Sequence, residues 1–208
     1  MPNLSMNTIL AGLLLGLCWG SAHASPERYR FDKVHSDISF SVSHLGFSMS
    51  QGEFHDWDGS FSFDPENWDS ASVEVAIKVE SLDMDNATWN RAMLGPKYFN
   101  AKAHPLLRFS ARGLKRSEAS SQANNQANRG TLSGELELLG ISRPVVLDVV
   151  FNRVGVHPYS GLIIAGFSAT TRIKRSDFGM TEAIPGVGDE IQIRLEIEGS
   201  RAAKRRTK

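Results

Sequence analysis

The sequence predicts an all-β protein: a single antiparallel β-barrel of about eight strands with one short helical insert. Apolar and polar residues alternate with a period of two along most of the chain after residue 28, which is typical of half-exposed antiparallel strands. Several alternating segments approach ten residues, longer than the usual sandwich strand. Long strands must hide their edges, and closure into a barrel removes those edges altogether.

The alternation is clearest in two segments. Residues 73–80 place four β-branched side chains on one face, and residues 191–198 do the same with three isoleucines and Leu195. Further alternating segments run over residues 29–33, 37–45, 53–63, 106–114, 131–139, 145–154 and 161–174. Turn-forming residues separate the strands at 64–67, 140–142, 157–161 and 185–188, as expected for antiparallel connections.

One segment has a helical pattern. Residues 86–94 put Ala87, Arg91 and Leu94 on one face, and Gly95 followed by Pro96 ends the predicted helix. Residues 116–129 are rich in Ser, Ala, Asn and Gln, which predicts a flexible hairpin loop.

Residues 1–24 have the features of a cleavable secretory signal. Their apolar run, residues 9–19, is too short to span a membrane, and Ala22-His23-Ala24 supplies a small-x-small cleavage site. No Lys or Arg precedes the run, so a retained anchor stays an alternative. Cys18 lies within the signal, and the exported chain therefore has no thiol, which suits an oxidising compartment. The predicted barrel domain occupies residues 25–200.

The distribution of charge argues against a nucleic-acid partner. Basic and acidic residues number 23 each, but five of the basic ones lie in the tail, residues 201–208. The barrel domain is therefore mildly acidic, whereas nucleic-acid binding calls for a basic face. The tail suits transient contact with anionic lipid head groups, at roughly 1 kcal/mol per charge near the surface. A solvated end is the alternative.

Motifs spread over about 170 residues resemble those of the bacterial YceI-like proteins. They are Tyr29-Arg30-Phe31-Asp32 with His35-Ser36, His44-Leu45-Gly46, Gly52-Glu53-Phe54, Tyr98-Phe99-Asn100, His104-Pro105, residues 134–145, and Arg175-Ser176-Asp177-Phe178-Gly179 with Val187-Gly188-Asp189. The resemblance implies a lipocalin-like barrel in the periplasm that binds polyisoprenoid lipids. The chain departs from the family pattern after Arg91, where the family commonly has Asp-x-His-Leu and this chain has Ala92-Met93-Leu94, and at Lys174, where the family often has Asn.

Apolar side chains are the candidates for lining a lipid cavity, because an isoprenoid presents branched apolar surface. They are Phe40, Val42, Phe47, Phe54, Phe61, Phe63, Leu94, Tyr98, Phe99, Phe109, Phe167 and Phe178. The alternative for each is that it simply fills the barrel, since small barrels are packed with their own side chains.

A lipid head group would need polar contacts near the barrel mouth. Arg91 and Lys97 on and after the helix, together with Arg175 and Asp177 after a long strand, are the candidates. Arginine clamps a diphosphate or donates to a quinone carbonyl. A salt bridge or turn brace is the alternative for Arg175 and Asp177.

No catalytic or metal-binding pattern is evident. The histidines have no recognisable metal-ligand spacing, and His35-Ser36-Asp37 cannot act as a triad, because adjacent strand residues point to opposite faces. We therefore predict a periplasmic protein, not an enzyme, that needs no cofactor and binds, sequesters or carries a polyisoprenoid lipid such as a prenyl quinone or prenyl diphosphate. A homodimer that covers the cavity mouth is a further expectation. The alternatives are a ligand-free structural or stress-related module and a barrel enzyme acting on such lipids.

Overall fold

The computed structural model describes residues 26–117 and 128–201, which form one closed antiparallel barrel. Its strands are β1 (Glu27–Phe31), β2 (Asp37–His44), β3 (Ser48–Phe54), β4 (Trp57–Phe63), β5 (Ser72–Lys78), β6 (Leu82–Asp83), β7 (Leu106–Arg116), β8 (Arg129–Leu138), β9 (Ile141–Val156), β10 (Ile163–Lys174) and β11 (Val187–Arg201). The helix α1 spans Ala87–Met93, and Trp68–Ser70 and Arg175–Phe178 form 3₁₀ turns.

The eleven strands make eight barrel strands, because three barrel strands are interrupted. β1 and β2 form one barrel strand, because both pair with β11. β3 and β4 form the next, because β3 pairs with β2 and β4 pairs with β1. β5 and β6 form the third, because β5 pairs with β4 and β6 pairs with β3. Each barrel strand therefore pairs with the next one along the chain, and β11 closes the ring on β1 and β2. This up-and-down order confirms the predicted eight-stranded barrel.

β9 and β11 both extend well beyond their predicted bounds. β9 begins at Ile141, before Pro144, whereas the sequence placed the strand start at Val145. The hydrogen-bonded pairing of β9 with β10 ends at Asp148, so Pro144 has no partner residue in β10. Because proline lacks an N–H group, its position beyond the end of this pairing means that no hydrogen bond to β10 is lost. At the other end of the chain β11 includes Arg201, which the sequence had assigned to the tail; its guanidinium lies 5.5 Å from the centre of the Tyr29 ring.

The predicted helix is confirmed as α1, and its start is fixed by Asn86. The Asn86 side chain accepts hydrogen bonds from the backbone N–H groups of Thr88 and Trp89, the usual arrangement of an N-cap asparagine. The Asn90 side chain ties the helix to β6, because its amide donates to Asp83 and its oxygen accepts from the Met84 N–H. The helical segment is thereby held against one end of the barrel.

The barrel interior contains two apolar clusters, one at each end. The first includes Phe54, Trp57 and Phe178, and the second includes Tyr29, Phe63 and Trp68. The predicted signal, most of the predicted loop and the tail beyond Arg201 lie outside the described residues. Within residues 26–117 and 128–201, no helix has the length and apolar character needed to cross a membrane.

Candidate functional site

The barrel encloses a cavity of about 270 Å³. All eight barrel strands contribute to its wall, because side chains at alternate positions of each strand face inward. On β11, for example, Ile191, Ile193, Leu195 and Ile197 reach the wall, while Arg194 between them is exposed. The wall is almost entirely apolar.

An aromatic cluster closes one end of this cavity. The Phe63 ring lies 4.9 Å from Phe167, 5.0 Å from Phe151 and 5.8 Å from Trp68 between ring centres. Several of these pairs are edge-to-face, a favourable arrangement of aromatic quadrupoles. The Trp68 indole N–H donates to the carbonyl of Pro65 at 3.0 Å, which satisfies its only polar group.

The segment between β6 and β7 covers the other end. Met84, Met93, Tyr98 and Phe99 from this segment line the cavity. The Phe99 ring lies 5.7 Å from Phe54 and 6.4 Å from Phe40. The helical insert therefore contributes directly to the wall, and the apolar side chains of the barrel and the insert form one surface.

Arg175 is the basic side chain on the wall, and its donors are already engaged. It is 2% exposed, and its guanidinium donates to the carbonyl oxygens of Met180, Glu182, Val187 and Gly188 at 2.8–3.0 Å. Burial lowers the pKa of Arg175 below its ordinary value. Four of the five N–H groups of a guanidinium are thus used to hold the loop between β10 and β11.

An acidic partner supports the same turn. The Asp189 carboxylate accepts from the Ser176 N–H at 2.9 Å and from the Ser176 hydroxyl at 2.8 Å. The backbone hydrogen bond from Ser176 is the main cause that lowers the pKa of Asp189. Arg175 and Asp189 together act as a brace for the loop, the alternative that the sequence analysis left open for Arg175.

Ten residues predicted to bind the ligand or line its cavity lie on the cavity wall: Phe40, Val42, Phe54, Phe61, Phe63, Tyr98, Phe99, Phe109, Phe167 and Arg175. Those on strands follow from strand parity, whereas Tyr98 and Phe99 come from the segment after α1 and Arg175 from a 3₁₀ turn. Contact with a ligand stays a prediction for each of them.

The other predicted residues do not line the cavity, and their contact with a ligand stays a prediction. Phe47 is 89% exposed, because Leu45 and Gly46 adopt positive φ angles and turn the chain before β3 begins. Asp177 and Arg91 are exposed; Arg91 donates to the Thr88 hydroxyl at 3.3 Å.

Two predicted apolar residues and one lysine also lie off the cavity wall. Phe178 is 2% exposed and belongs to the first core cluster, against which Leu94 packs. Lys97 forms an ion pair with Glu182 at 2.8 Å, and this partner raises its pKa. Neither Lys97 nor Arg91 reaches the cavity wall.

Many wall residues were not predicted to line the cavity, among them the inward face of β11 and Trp57. The inward face of β11 was recognised as apolar without being assigned to the wall, and Trp57 was not considered at all. Trp57 shares its strand face with Phe61 and Phe63, since the three differ by even numbers of positions. Strand parity alone was sufficient to place it.

The fold also brings Glu198 next to Asp32 and His35, which are close to each other but distant from it in the sequence. Ligand atoms of Asp32, His35 and Glu198 lie within 4.8 Å of one another beside the interruption between β1 and β2. The His35 Nδ1 lies 2.9 Å from an Asp32 oxygen. Hydrogen bonding to Asp32 raises the pKa of His35 and lowers that of Asp32.

Comparison with known proteins gives a consistent family. Residues 29–199 match the model of the YceI-like domain. A UPF0312 protein of Azotobacter vinelandii is 32% identical over 195 residues, which cover 92% of this chain and 97% of that protein.

Solved structures share the same barrel. A Campylobacter jejuni YceI protein is 29% identical with a TM-score of 0.65, covering 83% of this chain and 96% of that one. Burkholderia cenocepacia BcnA (23% identical, TM-score 0.69, 81% and 98% covered) and a Saccharophagus degradans domain described as polyisoprenoid-binding (13% identical, TM-score 0.56, 83% and 97% covered) show the same fold. The chain belongs to the YceI-like family.

Proposed function

We propose that this protein is exported to the periplasm through residues 1–24 and there binds, sequesters or carries a polyisoprenoid lipid in its barrel. The observation that carries this proposal is the apolar cavity in the barrel, whose wall is built from all eight barrel strands. An apolar wall with few polar groups is the complement of a branched hydrocarbon chain. The shared fold of the Saccharophagus degradans polyisoprenoid-binding domain is in keeping with this role.

The energetics are sufficient for binding from water. Burial of about 400 Å² of lipid surface at about 25 cal/mol/Å² contributes roughly 10 kcal/mol, against an association cost of roughly 4–15 kcal/mol. A lipid already in a bilayer gains little hydrophobic energy on transfer to another apolar site. Selection of one lipid therefore depends on the fit of its chain and on polar contacts to its head.

The volume of the cavity limits how many carbons of a lipid chain it can hold. A cavity of about 150 Å³ accommodates benzene, so about 270 Å³ holds roughly ten carbons by proportion. This corresponds to two isoprene units. A longer chain extends past the segment between β6 and β7 or widens the barrel on binding.

The first test is to isolate the protein gently from the periplasm and measure its native mass, followed by organic extraction of any released species. We expect a co-purifying species whose masses differ by isoprene units. A clean mass for the protein alone, with no uptake of added prenyl quinone or prenyl diphosphate, would favour a ligand-free module. Conversion of the added lipid during incubation would instead identify an enzyme.

A pair of substitutions tests whether the cavity is the binding site. Ala169 lines the cavity and is buried, so Ala169→Leu fills part of it. Ala76 lies on β5 between the wall residues Val75 and Ile77 and faces outward by parity, so Ala76→Leu is the matched control. We expect Ala169→Leu to weaken lipid uptake at least tenfold and Ala76→Leu to leave it unchanged. Equal uptake by both variants would place the ligand elsewhere.

We also propose that the basic tail assists lipid exchange by transient contact with anionic membranes. Deletion of residues 202–208 removes four of its five basic groups and retains Arg201, which belongs to β11. We expect weaker association with vesicles that contain phosphatidylglycerol and no change with neutral vesicles. Unchanged association with both kinds of vesicle would contradict the role of the tail.

A further inference from the structure

The connection between β9 and β10 lies at the end of a ribbon that projects from the barrel. The described pairing of β9 with β8 ends at Val150, whereas its pairing with β10 continues as far as Val156, opposite Ile163. The turn is closed by a hydrogen bond from the backbone N–H of residue 157 to the carbonyl of residue 162. Residues 156–162, the ribbon tip, therefore extend beyond the neighbouring strand β8.

The ribbon tip exposes large apolar side chains. Tyr159 is 93% exposed, Val156 64% and Leu162 37%, and the Tyr159 ring lies 5.8 Å from the His157 ring between centres. Single exposed apolar residues are common on protein surfaces. Three of them within one projecting turn form a patch, which is typical of a surface that contacts another apolar phase.

The ribbon also continues the apolar interior of the barrel. Val154 and Ile163 pack against the second core cluster, which includes the fully buried Ala165. Val156 lies on the same face of β9 as Val154, two residues away. One apolar surface thus runs from the interior of the barrel, along the ribbon, to the exposed Val156.

The charge at this end of the barrel is basic. Residues 149–176 contain no Asp or Glu, although the chain has 23 acidic residues, and Arg153 is exposed on β9. Arg201 ends β11 beside the ribbon, where it also pairs with Glu27 at 3.9 Å. The basic residues 202–208 follow from the same end. The surroundings of the ribbon tip are therefore complementary to an anionic surface.

A second exposed apolar turn provides a contrast. Leu45 and Phe47, between β2 and β3, are 57% and 89% exposed. They lie at the opposite end of the barrel, because His44 pairs with Val187 at the first residue of β11, whereas the ribbon tip lies beside the last. Residues 34–77 contain no Lys or Arg. Apolar exposure is shared by the two turns, and the charge of the adjoining segments distinguishes them.

A bilayer fits the ribbon tip better than a second copy of the chain does. A stable interface takes about 20–30 residues and about 800 Å² from each partner, far more than one turn provides. Two copies would also bring like charges together at Arg153. The region of a bilayer just below its head groups is apolar, and tyrosine is enriched at that depth.

We propose that the ribbon tip docks the protein on an anionic bilayer, with Tyr159 and Leu162 inserted at the level of the head groups and Arg153 in contact with lipid phosphates. This inference rests on the lipid-binding function proposed above. It assigns the end of the barrel that meets the membrane, and hence the end at which a lipid is exchanged.

Two labelled variants test which end docks. The predicted exported chain has no cysteine, so Ser160→Cys and Ser48→Cys each provide one site for an environment-sensitive dye. Both serines are exposed, and they lie next to Tyr159 and Phe47. With vesicles of phosphatidylcholine and phosphatidylglycerol, we expect emission from position 160 to rise several-fold and to be quenched by spin-labelled lipid chains. Emission from position 48 should stay unchanged.

Substitutions test the inserted side chains. We expect Tyr159→Ser combined with Leu162→Ser to weaken binding to these vesicles at least fivefold, because apolar surface is no longer buried in the bilayer. Phe47→Ser combined with Leu45→Ser is the matched control and should leave vesicle binding unchanged. Arg153→Gln should weaken binding about fivefold with anionic vesicles and have no effect with neutral ones.

The outcomes separate docking from lipid binding. A dye response at position 48 in place of position 160, or equal vesicle affinities of the two double variants, overturns docking by the ribbon tip. Self-association of the wild type that is lost in the Tyr159→Ser, Leu162→Ser variant also overturns it, because a second copy then covers the tip. Uptake of a prenyl quinone in solution is measured on the same variants and should be unchanged. Its absence in the wild type would instead contradict the lipid-binding function itself.

Discussion

The Nε of Arg175 donates to the carbonyl oxygen of Gly188 at 2.8 Å. The remaining three bonds of the guanidinium go to Val187, also at the start of β11, and to Met180 and Glu182 in the preceding loop, so one side chain fixes the connection from β10 to β11. A buried arginine whose guanidinium donates to backbone carbonyl oxygens stabilises the fold and does not select the ligand.

Replacement of Arg175 is therefore expected to destabilise the fold. Arg175→Ala leaves several carbonyls in or near the core without donors, and we expect the free energy of unfolding to fall by about 3 kcal/mol. Urea denaturation measures this change. Arg172→Ala is the control, because Arg172 is 67% exposed and pairs with Glu190 at 3.6 Å; its effect should stay within about 0.5 kcal/mol. Equal effects of the two changes would show that the brace is unimportant.

Gly199 allows the Phe61 ring to approach the backbone of β11. A Cβ at this position would lie 2.3 Å from Phe61 Cε1 and 3.1 Å from the Tyr29 Cβ. The Tyr29 and Phe61 rings are themselves stacked, with their centres 5.1 Å apart, so neither ring can move away from an added Cβ without disturbing the other. We expect Gly199→Ala to lower the free energy of unfolding by about 1–3 kcal/mol through overpacking, as measured by thermal or chemical denaturation.

The neighbouring strand offers a matched glycine. A Cβ at Gly166 would meet its nearest atoms at 3.9 Å, which is ordinary contact. Gly166→Ala is therefore expected to change the free energy of unfolding by less than about 0.5 kcal/mol. A large loss at Gly166 or none at Gly199 would contradict the steric explanation.

Phe63 and Phe47 were given the same role by the sequence, and the structure separates them. Phe63 is 1% exposed and packs among Trp68, Phe151 and Phe167, whereas Phe47 is 89% exposed. Phe63→Ala is expected to cost about 4 kcal/mol of unfolding free energy, and Phe47→Ala less than about 0.5 kcal/mol. Similar midpoints of urea unfolding for both variants would refute this assignment.

The ion pair of His35 with Asp32 predicts a pH-dependent contribution to stability. Hydrogen bonding to Asp32 raises the pKa of His35 above its ordinary 6.5, so folding favours the protonated imidazole. The stabilisation is fully present below pH 6.5 and is lost as the pH rises through the raised pKa. His35→Gln is therefore expected to destabilise the protein at about pH 5.5 and to have little effect at about pH 8.5.

The measurement is the free energy of unfolding of both proteins at the two pH values. Asp32→Asn supplies the control, since without the carboxylate the effect of His35→Gln should no longer depend on pH. A pH dependence that persists in the Asp32→Asn background would assign it to other groups near His35, such as Glu198, which also raises its pKa.

The sequence was sufficient for elements that depend on local pattern. The alternation of residues 73–80 and 191–198 placed β5 and β11 correctly, and the Gly95-Pro96 stop together with the helical pattern placed α1. At the turn between β8 and β9 the predicted end of β8 was one residue late and the predicted start of β9 four residues late; Leu139 and Gly140, which make the turn, both have positive φ angles. This turn type ordinarily favours Asn or Asp at its first position, so the leucine at this position did not indicate a turn.

What the sequence determined by itself is which side chains share a strand face, because parity is a property of the extended backbone. That was enough to group Phe61 with Phe63 and to exclude a His35-Ser36-Asp37 triad. Only the tertiary structure decided which face looks inward, where Arg175 finds its four carbonyls, and that Trp57 finds none. These features depend on contacts between strands that are distant in the chain. They also depend on turns such as Leu45–Gly46, which change the face of the sheet on which alternate residues of the next strand lie.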